Sequence, residues 1–239
     1  MPRGSAAPLG IVADLWRYPV KSFGGERLRR AFVGPFGVLG DRRYSLRGEN
    51  APLTARRAGD MLMFSAAYGN GEAAEDIRIR APNGDVFAVG DAALGKILAD
   101  ALDLDAPATI DRTPLAFVDA APLHILGEPS IAALGNSIGT DLDRRRFRAN
   151  ILVEPATGAP FEEDTWIARR FVIGEATIEV IVNTERCVLT TLDPDTAERD
   201  PRVLKALATT RDNVFGVYAR VLRPGWIETG DAIHPTENG

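Results

Sequence analysis

Residues 186–196 read Arg-Cys-Val-Leu-Thr-Thr-Leu-Asp-Pro-Asp-Thr and hold the only cysteine of the chain, Cys187. The β-branched and apolar residues 187–192 predict a short strand. Asp193-Pro194-Asp195 then predicts a turn in which at least one aspartate caps the backbone. A lone cysteine in such a run is usually a small buried hydrophobe. Here the neighbouring Arg186 favours a thiolate, and polar turns often carry functional sites, so Cys187 is a candidate for chemistry.

Similar short β-prone runs continue on both sides of this stretch. Asn83-Gly84 lies between two of them and predicts a hairpin with a type I′ turn. Residues 223–225 predict a turn that joins the last two runs as a strand pair. The predicted strands are residues 11–20, 28–33, 42–46, 77–80, 86–89, 147–153, 171–173, 177–182, 217–222 and 226–233.

Helices are few and short in this pattern. Residues 91–102 place a capping aspartate, Asp91, before an apolar stripe. Residues 130–134 predict a second helix, and residues 201–208 begin with the proline that is common at helix starts. Many short strands with few helices predict a mostly β protein with peripheral helices (α+β), built from β-barrel-like units. Residues 106–114 are typical of a linker between two such units.

Composition excludes several classes of function. The chain has 239 residues, with 28 Lys and Arg against 33 Asp and Glu, for a net charge of −5. Nucleic-acid binders usually carry a basic surface, so we expect no nucleic-acid partner. No apolar run reaches the length of about 18 residues that a membrane helix needs, and we expect a cytoplasmic protein. A single cysteine permits neither an internal disulfide nor a cysteine-ligated iron–sulfur cluster.

Cationic side chains stand in unusual places. Arg148 lies between Phe147 and an apolar run, where a buried guanidinium needs an anionic partner. Lys21 and Ser22 follow a predicted strand and precede two glycines, a setting in which donors can meet a phosphate. His124 lies in an apolar run and is interpreted as a hydrogen-bonded core residue. These observations alone do not identify a reaction.

The whole pattern resembles the MOSC family, in particular the subgroup that contains the mitochondrial amidoxime reducing component and its bacterial relatives. The resemblance covers nearly the whole chain. It implies an N-terminal MOSC β-barrel domain over residues 8–107 and a MOSC domain over residues 108–236. The residues that carry it are Tyr-Pro-Val-Lys-Ser at 18–22, Gly-Asp-Arg-Arg at 40–43, Leu-Thr-Ala-Arg at 53–56, Arg-Phe-Arg-Ala-Asn-Ile at 146–151, the stretch from 186 to 196, and Phe-Gly-Val-Tyr at 215–218.

The resemblance implies a molybdenum cofactor, a pyranopterin dithiolene that holds the metal. Cys187 would be the molybdenum ligand and the catalytic residue. The cofactor would be bound, on the same grounds, by Lys21, Ser22, Arg42, Asp119, Arg148 and Asn150. A soft thiolate suits a metal that already has sulfur ligands, and the planar fork of an arginine suits a phosphate. Ala120 and Ala121 stand where the mitochondrial members carry hydroxyl side chains, which leaves the expected cradle with two fewer donors.

The implied activity is a molybdenum-dependent oxidoreductase that reduces small N-hydroxylated compounds. The cofactor carries that reaction, and the protein supplies binding and orientation. Since a single cysteine cannot build an iron–sulfur cluster, the electrons would come from a separate donor protein with a flavin, a haem or an iron–sulfur centre. Two alternatives stay open: a sulfurtransferase or sulfur carrier with a persulfide on Cys187, and a non-enzymatic carrier of the cofactor. Pyridoxal phosphate is not expected, because in full-length sulfurases it belongs to a separate domain.

Overall fold

A computed structural model describes residues 7–69, 76–113 and 120–236. Its α-helices are α1 (Ala92–Leu102), α2 (Glu128–Ile138) and α3 (Pro201–Thr210). Short 3-10 helices span Gly59–Met63, Arg144–Phe147, Glu162–Trp166 and Val188–Thr191. The strands are β1 (Gly10–Arg17), β2 (Glu26–Leu28), β3 (Arg30–Gly34), β4 (Gly37–Val38), β5 (Tyr44–Leu46), β6 (Ser65–Tyr68), β7 (Ile77–Arg80), β8 (Val86–Ala88), β9 (Ile110–Arg112), β10 (Leu123–Gly127), β11 (Ile151–Pro155), β12 (Arg170–Ile173), β13 (Ala176–Glu185), β14 (Val214–Arg223), β15 (Gly225–Glu228) and β16 (Ile233–Pro235).

The protein is mostly β, as the sequence predicts, and its main element is a curled eight-stranded sheet. The strand order is β16-β12-β13-β14-β10-β11-β1-β2. The pairing is antiparallel except between β10 and β11, which run parallel. Every residue of β10 is buried, as is typical of a strand covered on both faces. The sheet encloses one apolar core, with Leu15, Ile125, Ile151 and Phe171 among its members.

Strand pairing interleaves the early and late parts of the chain. β1 pairs with β11, β3 pairs with β15, and β5 pairs with β9. A second core lies around Phe23, Phe64 and Ile79 and includes the buried face of α1. Leu192 from the late part of the chain also belongs to it. The two parts therefore share sheets and a core, while the division at residues 107 and 108 stays a prediction.

Helices α2 and α3 cover the main sheet on one side. Leu134, Val203 and Leu207 from these helices pack with Phe147 and Phe215 in a third core. Asp91 caps α1 by accepting a hydrogen bond from the N–H of Ala93 at 2.8 Å, as predicted. The helix predicted at residues 130–134 is longer than expected, since α2 runs from Glu128 to Ile138.

Two turn predictions were wrong. The hairpin between β7 and β8 contains Asn83-Gly84, but Asn83 is not in the positive-φ region that a type I′ turn requires. The N–H of Gly84 donates to the carbonyl of Ala81 at 2.9 Å, so the central residues of the turn are Pro82 and Asn83. Pro82 supplies the negative φ of the first central position, and Gly84 follows with φ of 92°. Residues 223–225 do not join a strand pair either, because β14 already lies between β13 and β10 in the sheet. β15 therefore pairs with β3, and β16 pairs with β12.

The strand predicted at 226–233 is divided into β15 and β16. Two strand predictions near the candidate site also failed. Residues 187–192 form no strand: the hydroxyls of Thr190 and Thr191 donate to the carbonyls three residues earlier, and Val188–Thr191 is a 3-10 helix. The strand predicted at 147–153 begins at Ile151. The residues before it form the 3-10 helix Arg144–Phe147, capped when Asp143 accepts from the N–H of Arg145 at 2.7 Å. Local side-chain hydrogen bonds override β-propensity in both places.

A buried carboxylate joins the start of α2 to the 3-10 helix Glu162–Trp166. Glu163 is fully buried. It accepts hydrogen bonds from the N–H of Gly127 at 3.1 Å and from the hydroxyl of Ser130 at 2.9 Å. Burial raises the pKa of Glu163 above its usual value.

We expect Glu163→Ala to lower the free energy of unfolding by about 3 kcal/mol, because it leaves two buried donors without an acceptor. Urea denaturation measures this loss. The matched control is Glu162→Ala, on the same 3-10 helix but outside this buried network. Equal stability of the two variants would contradict the role assigned to Glu163.

Candidate functional site

A cavity of about 430 Å³ lies where the early and late parts of the chain meet. That volume is within the usual range of small-molecule sites. Lys21, Ser22 and Arg42 contribute one part of the wall, and Arg148 and Cys187 contribute another. The remaining lining residues are Thr54, Arg56, Ala120, His124, Phe147, Val182, Asn183, Glu185, Arg186, Leu189 and Tyr218.

The cavity-wall residues from the early part of the chain lie in turns between strands. The N–H of Lys21 donates to the carbonyl of Tyr44 at 2.8 Å, and the N–H of Arg42 donates to the carbonyl of Tyr18 at 2.8 Å. Ser22 is buried with φ of 70°, and Arg42 has φ of 50°. Non-glycine residues rarely adopt this conformation, which costs on the order of 1 kcal/mol each. The surrounding hydrogen bonds therefore hold both residues in a specific orientation.

Arg42 is fixed by a buried carboxylate. Its guanidinium pairs with Asp41 and donates to the carbonyl of Arg148 at 3.2 Å. The other oxygen of Asp41 accepts from the N–H of Tyr18 at 2.7 Å. Burial alone lowers the pKa of Arg42, but the negative charge of Asp41 outweighs it, so this pKa lies above the usual value. Arg42 is therefore a permanent cation in the cavity wall.

Arg148 crosses from the late part of the chain to the early part. Its Nη1 donates to the carbonyl of Phe23 at 2.6 Å, and its guanidinium carbon lies 4.2 Å from the centre of the Tyr18 ring. Burial raises the pKa of Tyr18 to about 12, although Arg148 and Arg42 act in the opposite direction. Arg148 has φ of 55° and ends the 3-10 helix Arg144–Phe147. It is thus the third residue of the cavity wall in the left-handed region.

Cys187 is half-buried and immediately precedes the 3-10 helix Val188–Thr191. Its carbonyl accepts hydrogen bonds from the N–H and the hydroxyl of Thr190 at 3.1 and 3.0 Å. The next residue back, Arg186, donates to the carbonyl of Phe147 at 2.9 Å. These bonds fix the backbone on both sides of the thiol, which lines the cavity.

Arginine–aspartate pairs tie the stretch of Cys187 to the stretch of Arg148. Arg146 donates to Asp193 at 2.7 Å and to the carbonyl of Thr191 at 3.0 Å. Arg145 binds both oxygens of Asp195, at 2.9 and 2.6 Å. The predicted aspartate-capped turn is confirmed, since Asp193 accepts from the N–H of Asp195 at 3.0 Å. This arginine run therefore positions the cavity wall as well as facing solvent.

Two of the predicted cofactor-binding residues, Asn150 and Asp119, are not among the described residues that line the cavity. Asn150 is buried but does not line the cavity. Its Oδ1 accepts from the N–H of His124 at 3.3 Å and from Arg42 at 3.5 Å, so it lies behind the wall and supports it. Asp119 lies outside the described residues. Ala120, which follows Asp119 in the chain, lines the cavity, and Ala121 is buried.

Sequence reasoning missed several lining residues. His124 is buried, as interpreted, yet its ring also faces the cavity. Its Nε2 lies 3.4 Å from the carbonyl of Phe215. Gly216, with φ of 79°, makes room for the ring, because a Cβ there would lie 2.6 Å from Nε2. Asn183 and Tyr218 reach the cavity from β13 and β14, and only the pairing of these strands could have revealed it.

The cavity wall is strongly cationic. Among the described lining residues it contains Lys21, Arg42, Arg56, Arg148 and Arg186, and one carboxylate, that of Glu185. This excess of positive charge is local, because the whole chain carries a net charge of −5. Clefts lined by one sign of charge attract ligands of the opposite sign. The arrangement is suited to an anionic ligand held beside a thiol.

Comparison with models of known protein families shows which family the chain belongs to. A model of the MOSC domain matches residues 112–234, and a model of the MOSC N-terminal beta barrel domain matches residues 9–104. The protein belongs to the MOSC family.

Two kinds of relative are similar to this chain over most of its length. Mitochondrial amidoxime reducing component 2 of Bos taurus is 26% identical over 95% of this chain and 83% of its own length. Molybdenum cofactor sulfurase of Caenorhabditis briggsae is 27% identical over 94% of this chain. The match covers only 36% of that sulfurase. Both kinds of relative are thus similar to nearly all of this chain.

A solved structure supports the architecture. The YuaD protein of Bacillus subtilis superposes with a TM-score of 0.52, covering 95% of this chain and 97% of its own, at 14% sequence identity. At this identity the likeness shows the fold alone. No helix within the described residues has the length and apolar character needed to cross a membrane.

The burial of His124 gives a prediction about pH. Burial first, and then Arg186 and Arg42, lower the pKa of His124 well below its usual 6.5. Below that pH the unfolded chain binds a proton that the folded chain does not, so acid destabilises the fold. The loss is about 1 kcal/mol for each pH unit below 6.5, down to the lowered pKa.

We therefore expect the melting temperature of His124→Leu to change less than that of the wild type between about pH 7.5 and about pH 5.5. Differential scanning calorimetry at both pH values measures this. An equal acid sensitivity of His124→Leu and the wild type would show that His124 is not responsible.

Proposed function

We propose that this protein is a molybdenum-cofactor-dependent reductase of small N-hydroxylated compounds. The observation that carries the proposal is the convergence of Cys187 with Lys21, Ser22, Arg42 and Arg148 on one cavity. The similarity of nearly the whole chain to an amidoxime reducing component supports this activity. Similarity to a molybdenum cofactor sulfurase supports the same cofactor.

The residues present fit such a cofactor. The dithiolene and thiolate chemistry of molybdenum needs a soft ligand, and Cys187 offers one. The terminal phosphate needs charge-assisted donors, which the cationic wall provides. Within the described residues no three His, Cys, Asp or Glu side chains group to hold a metal ion. The dithiolene of the pterin would supply the other sulfur ligands of the metal.

Each residue then has a separate task. Lys21, Arg42 and Arg148 would hold the phosphate and the polar edge of the pterin, and Ser22 would add a hydroxyl. The buried ion pair with Asp41 keeps Arg42 charged and oriented. Asn150 supports Arg42 from behind the wall, and Asp119 is proposed near the pterin. Val182 and Leu189 add apolar surface to the cavity wall.

The cofactor, when bound, supplies reducing equivalents and an acceptor for oxygen beside Cys187. In the overall reaction the N–O bond breaks, and the substrate takes up two electrons and two protons to give an N–H product and water. The chain contains no second cysteine for an iron–sulfur centre. We propose that the electrons come from a separate carrier protein with a flavin, haem or iron–sulfur group.

Replacement of the thiol tests the proposal. We expect Cys187→Ser to lose turnover of benzamidoxime by at least about a hundredfold, since a hydroxyl then replaces the soft thiolate ligand. The fold should persist, because the Cys187 side chain forms no hydrogen bond within the part of the chain that the structure describes. Assays use protein from a host that makes the cofactor, with circular dichroism as the folding control. Undiminished turnover in Cys187→Ser would overturn the assignment.

A second candidate is sulfur transfer, which the similarity to a sulfurase favours. Cys187 would then carry a persulfide, formed when a donor persulfide passes its outer sulfur to the thiolate. Incubation with a cysteine desulfurase and cysteine, followed by intact-mass spectrometry, should add the mass of one sulfur atom to the wild type and none to Cys187→Ser. No added mass in the wild type would remove this candidate.

A further inference from the structure

A second concave surface lies directly behind the thiol. It is a groove of about 450 Å³ between α3 and the 3-10 helix Val188–Thr191, here called the α3 groove. Its lining is almost wholly apolar and includes Val188, Pro201, Leu204 and Ala208. None of these residues has a role in the proposed chemistry. An exposed apolar surface of this kind usually marks an interaction site.

One short helix separates the α3 groove from the cavity. Cys187 and Leu189 line the cavity, whereas Val188 and Thr191 line the groove. All four residues lie in the 3-10 helix Val188–Thr191 or directly before it, and such a helix rises about 2 Å per residue. Anything bound in the groove therefore lies across a single layer of backbone from Cys187.

The rim of the groove is basic. Arg199 and Lys205 border it, and both are exposed. Neither forms an ion pair within the part of the chain that the structure describes, whereas Arg202 on the same helix is paired with Asp200 at 2.7 Å. Two cations therefore border an apolar centre. The rim is complementary to an acidic surface.

We propose that the α3 groove is the docking site for a small electron-carrier protein with an acidic face. This inference rests on the proposed function, which needs electrons from outside the chain. An apolar centre with a charged rim is the usual anatomy of a protein interface, and transient redox complexes bury little surface. Two reduced carriers would dock in turn, and each is oxidised by one electron. Together they supply the two electrons that break the substrate N–O bond with uptake of two protons and release of water.

Charge reversal on the rim tests the docking site. The donor is a reduced plant-type [2Fe–2S] ferredoxin, an acidic one-electron carrier, and the substrate is benzamidoxime. We expect Lys205→Glu to raise the KM for ferredoxin about ten-fold at low ionic strength, because rim charges control association. Ala208→Glu, which places a negative charge in the groove, should act in the same direction. The matched control is Lys96→Glu, an exposed lysine on α1, which should leave this KM unchanged.

A small reductant separates this inference from the proposed function. With dithionite-reduced methyl viologen, all variants should turn over like the wild type. An equal KM for ferredoxin in Lys205→Glu and Lys96→Glu would overturn the docking site, as would a wild type that accepts viologen electrons but none from ferredoxin. A dimer in solution that Ala208→Glu dissociates would overturn it too, because a second copy would then fill the groove.

Absence of viologen-supported turnover in the wild type would instead contradict the proposed function. The docking site is then tested without turnover, by calorimetric measurement of the affinity of each variant for oxidised ferredoxin. Binding weakened about ten-fold in Lys205→Glu but not in Lys96→Glu supports the groove. Equal binding by both variants, or none by the wild type, rejects it.

Discussion

The candidate site depends on the stacking of Arg148 against Tyr18 in the interior of the protein. Arg148 comes from the late part of the chain and donates to the carbonyl of Phe23 in the early part. The guanidinium group of Arg42 also lies near this ring, 5.3 Å from its centre. Asp41 then neutralises part of the buried positive charge. This cluster joins the two parts of the chain and orients two cations toward one cavity.

Backbone conformation maintains that orientation. Ser22, Arg42 and Arg148 all have positive φ, and all three line the cavity. Such strain persists only where surrounding contacts over-determine it, and it concentrates at functional sites. Here the compensating contacts are backbone hydrogen bonds and the pairing with Asp41. These contacts orient part of the cationic wall without a ligand, and such preorganisation reduces the ordering cost of binding an anion.

Residue patterns predicted the fold class and most strands correctly, because alternation and turn residues act locally. They failed at the 3-10 helix after Cys187 and at Arg148, where side-chain hydrogen bonds to the backbone decide the conformation. Five proposed site residues (Lys21, Ser22, Arg42, Arg148 and Cys187) line one cavity. Nothing local distinguishes Asn150, which lies behind the wall. The α3 groove depends on how α3 packs against a 3-10 helix, which no periodicity encodes.

The central claim is that this cavity holds a molybdenum cofactor, and metal content tests it most directly. The protein is purified from a host that makes the cofactor, and molybdenum per chain is measured by elemental mass spectrometry. The account predicts nearly one molybdenum per chain. A wild-type value close to zero, from a host in which other molybdenum enzymes are fully loaded, would contradict it.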